Sequence, residues 1–160
     1  MIRIMVVSDS HKYNGGMQKI VMDEGPFDRV IHLGDSEIDE KSLKDIVKAP
    51  LDVVAGNCDI GLNYPGEKMI NIAGHNILLT HGHRNGVTYG YERLIYHGLE
   101  KGADIIMFGH IHRPVMMEID GITLVNPGSI SLPRQESRKP TWILMEVDDQ
   151  GKIKFNFKEI

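Results

Sequence analysis

The chain has 160 residues, of which 41% are hydrophobic and 25% charged, so it is long enough for one domain of ordinary composition. A formal net charge of −4 excludes a general attraction to nucleic acid or anionic membranes, although bound cations would reverse that field locally. The single cysteine excludes an internal disulfide, and no apolar run suffices for a signal peptide or a membrane span. We therefore predict one domain over residues 1–160, located in the cytoplasm.

The first half of the chain alternates predicted strands with predicted helices. Nearly every residue from Ile2 to Val7 is apolar, which is typical of a strand buried on both faces. A helix, a strand, a second helix and a third strand follow, over residues 15–22, 29–33, 39–47 and 51–54. A hairpin is then predicted between residues 69–72 and 76–80, with Ala73, Gly74 and His75 in its turn.

The second half consists of one amphipathic helix and a run of hairpins. Residues 91, 94, 95, 98 and 99 form a continuous stripe, which predicts a helix over residues 89–101 that ends at Gly102. Residues 105–108 predict a buried strand, and hairpins pair residues 115–119 with 122–125 and 142–147 with 152–157. This order of elements indicates an α/β fold, a four-layer αββα sandwich with two mixed β-sheets flanked by helices.

Five short polar segments follow predicted strands. They are Asp9-Ser-His11, Gly34-Asp35, Gly56-Asn57-Cys58-Asp59, His81-Gly-His83 and Gly109-His110-Ile-His112. Because ligands bind beyond the carboxyl ends of strands in open α/β sheets, we expect these segments to meet at one edge. The two-residue spacing in the first and last segments predicts an extended backbone that points both side chains the same way. Carboxylate, amide and imidazole groups gathered in this way can hold two divalent cations.

In this order the five segments resemble the calcineurin-like metallophosphoesterase family, and among its members the small YfcE-type phosphodiesterases. The resemblance implies two divalent metal ions that share the carboxylate of Asp35. It implies that the first ion is held by Asp9, His11, Asp35 and His112, and the second by Asp35, Asn57, His81 and His110. Mixed Asp, His and Asn ligation favours Mn²⁺, with Ni²⁺, Fe²⁺, Co²⁺ or Zn²⁺ as alternatives, over Mg²⁺.

The resemblance also implies a reaction, the hydrolysis of a phosphodiester by a hydroxide that the two metal ions activate. We expect Asn57, Cys58 and His81 to serve this catalysis. Many family members carry His after the Gly-Asn pair, where it protonates the leaving oxygen, whereas this chain has Cys58. A thiol is a poorer acid than imidazolium near neutral pH, so we predict weak activity on monoesters and better activity on diesters with acidic leaving groups.

Three further residues are candidates for contacts with the substrate. His83 shares a turn with His81 and either contacts the substrate or orients a metal ligand. Ser129 ends the segment Asn126-Pro-Gly-Ser129, which is either a plain tight turn or a support near the metals. Arg134 could meet a phosphate, although exposed basic loop residues are more often only solvated.

The remaining polar candidates have ordinary explanations. His32 within a strand, His75 in a turn and His97 off the apolar stripe of its helix are expected to be structural or solvated. Asp59 either receives a proton from a ligand imidazole or caps a turn.

Two other functions fit the same fold. A non-catalytic protein-interaction scaffold, like the retromer subunit that resembles these enzymes, would be expected to have lost a metal ligand, whereas every matching position here keeps a competent side chain. A phosphomonoesterase, a protein phosphatase or a nuclease is the other alternative, but no capping domain or basic groove for a large substrate is evident. We therefore predict a small phosphodiester substrate, no membrane partner, and a homodimer or higher homo-oligomer as the default association.

Overall fold

A computed structural model describes all 160 residues, which form ten strands and three helices. In chain order the strands are β1 (Ile2–Val7), β2 (Arg29–His32), β3 (Leu51–Val53), β4 (Glu67–Ile72), β5 (His75–Thr80), β6 (Ile105–Met107), β7 (Pro114–Ile119), β8 (Ile122–Pro127), β9 (Thr141–Val147) and β10 (Ile153–Glu159). The helices are α1 (Gly15–Glu24), α2 (Glu40–Val47) and α3 (Glu92–Lys101). None of the three combines the length and the hydropathy needed to cross a membrane.

Two mixed sheets of five strands each form the centre of the molecule. The first sheet has the order β10-β9-β1-β2-β3, and the second has the order β4-β5-β6-β8-β7. Alternation along each strand sends neighbouring side chains to opposite faces. In β1, Ile4 and Val6 pack in the core between the sheets, while Met5 and Val7 pack with α1 and α2.

Three apolar cores result from this alternation. The core between the sheets contains 15 buried residues, and the core under α1 and α2 contains 12. A third core of nine residues, including Leu94 and Ile95 of α3, lies on the outer face of the second sheet. Burying each large apolar side chain stabilises the fold by about 1.5–3 kcal/mol. The layers run helix, sheet, sheet, helix, which confirms the predicted sandwich.

The ends of several elements differ from the prediction by a few residues. Asp39 is not part of α2 but caps it, because its Oδ1 accepts the backbone N–H of Ser42 at 2.8 Å. The helix α3 begins at Glu92 and not at residue 89, and it ends before Gly102, whose φ is 72°. His75, predicted in a hairpin turn, is the first residue of β5, where its Nδ1 lies 3.0 Å from Oδ2 of Asp104.

Parallel pairing brings the carboxyl ends of six strands to one edge of the sandwich. In the first sheet β1, β2 and β3 are parallel neighbours, and in the second β5, β6 and β8 are. All five polar segments lie in loops that leave these strands, so the topology, and not proximity in the sequence, assembles the site.

Candidate metal centre

All seven predicted metal ligands converge at this edge. Ligand atoms lie within 4.8 Å of one another in each of two groups, which are Asp9, His11 and His112, and Asp35, His81 and His110. Oδ1 of Asn57 lies 3.1 Å from Nδ1 of His110, so the amide adjoins the second group. Oδ2 of Asp35 lies 3.8 Å from Nε2 of His11 and 3.2 Å from Nε2 of His81, and it therefore joins the two groups.

The backbone reaches this arrangement through left-handed turns, so the predicted extended conformation is wrong. The φ angles are 55° at Asp9 and 45° at His11, and 71° at His110 and 55° at His112. An extended chain would continue past the edge of the sheet. The turn instead folds the loop back, so that the backbone N–H of His11 donates to the carbonyl of Asp35 at 2.9 Å. Such strained residues cost of order 1–3 kcal/mol each and are typical of functional sites.

Two glycines allow the loops to approach one another closely. A Cβ on Gly56 would lie 2.0 Å from Oδ1 of Asp35, and one on Gly109 would lie 2.0 Å from Oγ of Ser8. Both distances are far inside van der Waals contact, so a side chain at either position would push the loops of the site apart.

Three of the imidazoles are held in place through the ring nitrogen that faces away from the site. Nδ1 of His81 and Nδ1 of His112 each donate to a backbone carbonyl oxygen at 2.7 Å. Nδ1 of His11 lies 2.9 Å from the carboxylate of Glu37. Because these oxygens accept hydrogen bonds, the proton of each neutral ring is on Nδ1 and the lone pair is on Nε2.

The Nε2 atoms of these rings face acceptor atoms. Nε2 of His112 lies 3.1 Å from Oδ1 of Asp9 and 3.2 Å from Nε2 of His11. Oδ1 of Asp9 and Nε2 of His81 are buried without any hydrogen-bond partner, and an unsatisfied buried polar atom costs about 1–3 kcal/mol. Protons on the rings would offset the carboxylate charges but would occupy the nitrogen lone pairs, whereas a divalent cation accepts lone pairs from the nitrogens and the carboxylates together. The donor set therefore fits divalent cations.

The charges around the site keep the carboxylates ionised. Burial by itself would raise the pKa of Asp9, but the adjacent imidazoles of His112 and His81, when they are protonated, outweigh burial and lower it. The same balance, with His81 as the main partner, lowers the pKa of Asp35. Burial and the charge of His81 lower the pKa of His110, which favours the neutral ring that can bind a metal.

Asp59 ties two loops of the site together. Its carboxylate accepts the backbone N–H groups of Asp35, Glu37 and Gly56 at 2.7–2.8 Å. Of its two predicted roles, the structure therefore supports the turn cap, and this cap extends to the loop that carries Asp35.

His32 connects the loops that follow β1 and β2. Its Nδ1 accepts the N–H of Gly34 at 3.2 Å, so Nε2 carries the proton and donates to Oγ of Ser10 at 2.9 Å. Burial lowers the pKa of His32 to about 4, and the ring is neutral. His32 has the structural role that was expected of it.

Cys58 is half-buried in the loop after β3. Its backbone N–H donates to Oδ1 of Asp35 at 2.8 Å, and Nδ2 of Asn57 lies 3.4 Å from its Sγ. Burial, and then the carboxylate of Asp35, raise the pKa of the thiol to about 11. Cys58 is therefore an even weaker acid than an ordinary cysteine.

Of the three residues predicted to contact substrate, two are accessible. His83 is half-buried in a short 3₁₀ turn that the sequence did not predict, and its ring centroid lies 5.3 Å from that of His81 and 6.1 Å from that of His110. Arg134 is exposed, and its backbone N–H donates to the carbonyl of His112 at 2.9 Å. Both positions are compatible with a contact to a bound phosphate ester.

Ser129 is fully buried, which does not fit the predicted contact with substrate. Its hydroxyl donates to the carbonyl of Asp9 at 2.8 Å and accepts the N–H of Leu132 at 2.7 Å. Asn126 has a similar place, because its Nδ2 donates to the carbonyl of Gly109 at 2.9 Å. Both residues support the loops of the site, which was the other interpretation of this segment.

Two contributors to the site were missed in the sequence. Glu37 faces His11, and its position two residues after Asp35 was the available signal. The hydroxyl of Ser131 donates to the carbonyls of Asp9 and Ser10, both at 2.9 Å. Nothing in the local sequence distinguishes this serine from a solvated one.

Known sequences and structures support these observations. A sequence profile of the calcineurin-like phosphoesterase superfamily domain matches residues 2–150, and the chain therefore belongs to this family of metallophosphoesterases. The probable metallophosphoesterase YsnB of Bacillus subtilis is 34% identical over 155 residues, which is 96% of this chain and 90% of YsnB. The crystal structure of a predicted phosphoesterase from Streptococcus pneumoniae superimposes with a TM-score of 0.81 at 31% identity, covering 99% of this chain and 97% of the other. The predicted family and fold are thus confirmed.

A third similar protein is named for protein sorting and not for phosphoesterase activity. Vacuolar protein sorting-associated protein 29 of Schizosaccharomyces pombe is 27% identical over 166 residues, which is 94% of this chain and 86% of the relative. Family membership alone therefore does not decide between a hydrolase and another role, and the residues of the site have to carry that argument.

Proposed function

We propose that this chain is a metal-dependent phosphodiesterase that acts on small substrates, as a single domain over residues 1–160 in the cytoplasm. One observation carries the proposal. Three imidazole lone pairs and two buried carboxylates converge, and no lysine or arginine pairs with either carboxylate. A scaffold has no need of such an arrangement, since each unpaired atom lowers its stability.

The two groups of donors support the ligand sets that the family resemblance implies. One ion would be held by Asp9, His11, Asp35 and His112, and the other by Asp35, Asn57, His81 and His110. When bound, two divalent cations neutralise phosphate oxygens and lower the pKa of a water to near neutrality. We propose Mn²⁺ as the most effective cation, because the donors are mostly oxygen and imidazole nitrogen.

The weak acid at position 58 determines the preferred substrate. A diester that releases an aryloxide needs no proton at the leaving oxygen, so the raised pKa of Cys58 should have little effect on the rate of its hydrolysis. A monoester that releases an alkoxide needs a good acid, and Cys58 is a poor one. We therefore propose that diesters with acidic leaving groups are better substrates than alkyl monoesters.

The test uses the purified full chain, stripped of metal and then supplied with Mn²⁺. We expect it to hydrolyse an aryl phosphodiester and to stop when a chelator is added. His110→Ala should reduce turnover at least about a hundredfold. Loss of a residue that only hydrogen-bonds to a metal ligand reduces activity about 10–100-fold, and loss of a ligand itself should reduce it more. His97→Ala, in which the lost imidazole is half-buried and contacts Glu67 and none of the proposed ligands, is the matched control and should keep full activity.

Three outcomes would contradict the proposal. Turnover that persists in the chelated protein would exclude a metal-dependent mechanism. A folded protein that turns over no diester with Mn²⁺, Ni²⁺, Fe²⁺, Co²⁺ or Zn²⁺ would favour the scaffold, and faster hydrolysis of monoesters would favour the phosphomonoesterase.

A further inference from the structure

The sulfur of Cys58 belongs to a third group of donors at the metal centre. A ring nitrogen of His11, a carboxylate oxygen of Asp35 and Sγ of Cys58 all lie within 4.8 Å of one another. His11 and Asp35 are also members of the ligand set of the first ion. The sulfur therefore lies next to two donors that the proposed function already assigns to one cation.

The position of the sulfur is constrained by the surrounding loop. The N–H of Cys58 donates to Oδ1 of Asp35 at 2.8 Å, and Asp59 binds the N–H groups of Asp35 and Gly56 at 2.8 Å and 2.7 Å. These bonds hold the loop after β3 against the loop after β2. Cys58 is thus kept beside the Asp35 carboxylate by hydrogen bonds that do not involve its own side chain.

The amide of Asn57 is oriented to suit a negatively charged sulfur. Its Nδ2 lies 3.4 Å from Sγ of Cys58, while its Oδ1 lies 3.1 Å from Nδ1 of His110. An N–H donor aimed at sulfur stabilises a thiolate. A second, independent observation concerns Asp9, whose Oδ1 is fully buried without a hydrogen-bond partner and lies 3.8 Å from Nε2 of His11. A cation bound beside Cys58 and His11 would satisfy this oxygen.

We propose that Cys58 is a ligand of the first cation and gives this site a preference for Zn²⁺ and Cd²⁺ over Mn²⁺. The proposal rests on the proposed function, since it requires the metal centre. When a thiophilic cation binds, the S–H bond breaks, a sulfur–metal bond forms and the proton passes to solvent. Soft thiolate donors select such cations, whereas Mn²⁺ prefers oxygen and leaves the thiol protonated. Tight binding of Zn²⁺ is therefore compatible with Mn²⁺ as the more effective cation in turnover.

Cadmium provides a direct readout of this bond, because a thiolate bound to Cd²⁺ has an ultraviolet charge-transfer band that imidazole and carboxylate ligands lack. Cys58 is the only cysteine, so any band belongs to it. We expect titration of the metal-free full chain with Cd²⁺ to produce the band at one thiolate per chain. Cys58→Ser should abolish the band, and His97→Ala should keep it.

A competition experiment measures the preference itself. Cys58→Ser is expected to weaken Zn²⁺ binding at least about tenfold, because loss of a residue that only supports a metal ligand already weakens metal binding about 10–100-fold. Binding of Mn²⁺, followed by electron paramagnetic resonance, should be unchanged in the same variant. An equal loss for both metals would overturn the preference and point to a general distortion of the site.

The test separates this inference from the proposed function. If wild-type protein binds Cd²⁺ and Mn²⁺ stoichiometrically but shows no charge-transfer band, Cys58 is not a ligand and the metal centre stands without it. If neither metal binds, the metal centre itself is wrong, and the role of Cys58 is wrong with it.

Discussion

Two buried carboxylates in this molecule have opposite surroundings. Asp52 in β3 is 3% exposed, and its oxygens are bonded to the side chains of Arg29 and Lys68. Asp9 is completely buried, and its charged neighbours are imidazoles, while its Oδ1 has no hydrogen-bond partner. Asp52 is satisfied by the protein itself, whereas Asp9 requires something that the chain does not supply.

The different surroundings of Asp52 and Asp9 show that this fold has one buried carboxylate that stabilises it and another that is available to bind a ligand. Burial alone would raise the pKa of either group, and in each case the partners outweigh it and lower the pKa. The partners of Asp52 are permanent cations, so the charge is balanced at all ordinary pH values. The partners of Asp9 are imidazoles, which balance its charge only while they carry a second proton and can instead offer the same nitrogen to a metal cation. The unpaired atoms of the metal centre thus lower the stability of the fold, and the same atoms are available to bind a cation.

The largest effect should come from exchanging one carboxylate in each region for an amide. Asp35→Asn is expected to reduce Mn²⁺-dependent diester hydrolysis at least about a hundredfold, because it removes the shared ligand. The matched variant Asp52→Asn should lose about 1–3 kcal/mol of unfolding free energy and keep full turnover. Steady-state kinetics and urea unfolding of both variants measure this. If Asp52→Asn were the inactive variant, the contrast between the regions would be lost.

Added metal should stabilise the protein through the centre alone. At a Mn²⁺ concentration one hundred times Kd, the gain is about 2.7 kcal/mol, which raises the Tm by about 5–10 °C for a chain of this size. Thermal unfolding with and without chelator tests this. The rise should persist in Asp52→Asn and disappear in Asp35→Asn, which removes the ligand that both ions share. An equal rise in both variants would mean that Mn²⁺ binds elsewhere.

Replacing the thiol of Cys58 by imidazole should reduce the difference between the two regions, because the metal centre then gains a side chain that can carry a positive charge. In the presence of Mn²⁺, Cys58→His is expected to increase alkyl monoester turnover by about a hundredfold, the lower end of general-acid effects. Aryl diester turnover should change far less. Monoester rates equal to those of the wild type would count against a role for residue 58 as the acid.

The smallest effect concerns pH and the structural carboxylate. The pKa of Asp52 is lowered on folding, so its stabilising contribution is present above the unfolded value of about 3.9 and is lost as the pH falls through the folded value. The difference in unfolding free energy between wild type and Asp52→Asn should be constant from about pH 7 to 5 and shrink below about pH 4. A difference that shrinks between pH 7 and 5 would implicate another group.

Most of the fold could be predicted because its signals are local. Apolar runs and the stripe on α3 define strands and helices over a few residues, and Asp120-Gly121, with φ of 52° and 78°, makes the predicted hairpin turn. Element ends were less accurate, since Asp39 serves equally well as a first helical residue or as a cap. The choice depends on hydrogen bonds that form only in the folded chain.

The members of the site were predicted better than its geometry. The structure brings all seven proposed ligands together, and whether they bind metal stays a prediction that titration will test. The left-handed turn at His11 and the burial of Ser129 were not predictable, because both depend on contacts with distant residues. The hydroxyl of Ser129 bonds to a carbonyl 120 positions away, at Asp9.

Sequence alone determined which strands and helices form and which side chains can act as metal donors, because periodicity and side-chain chemistry are properties of short segments. Tertiary structure alone decided which nitrogen of His81 faces the carboxylates, since Nδ1 is bound by the carbonyl of Leu33, 48 positions earlier. It also decided that Cys58 lies beside His11 and that Asp9 lacks a side-chain cation. Orientation and charge balance depend on groups that meet only when both sheets are in place.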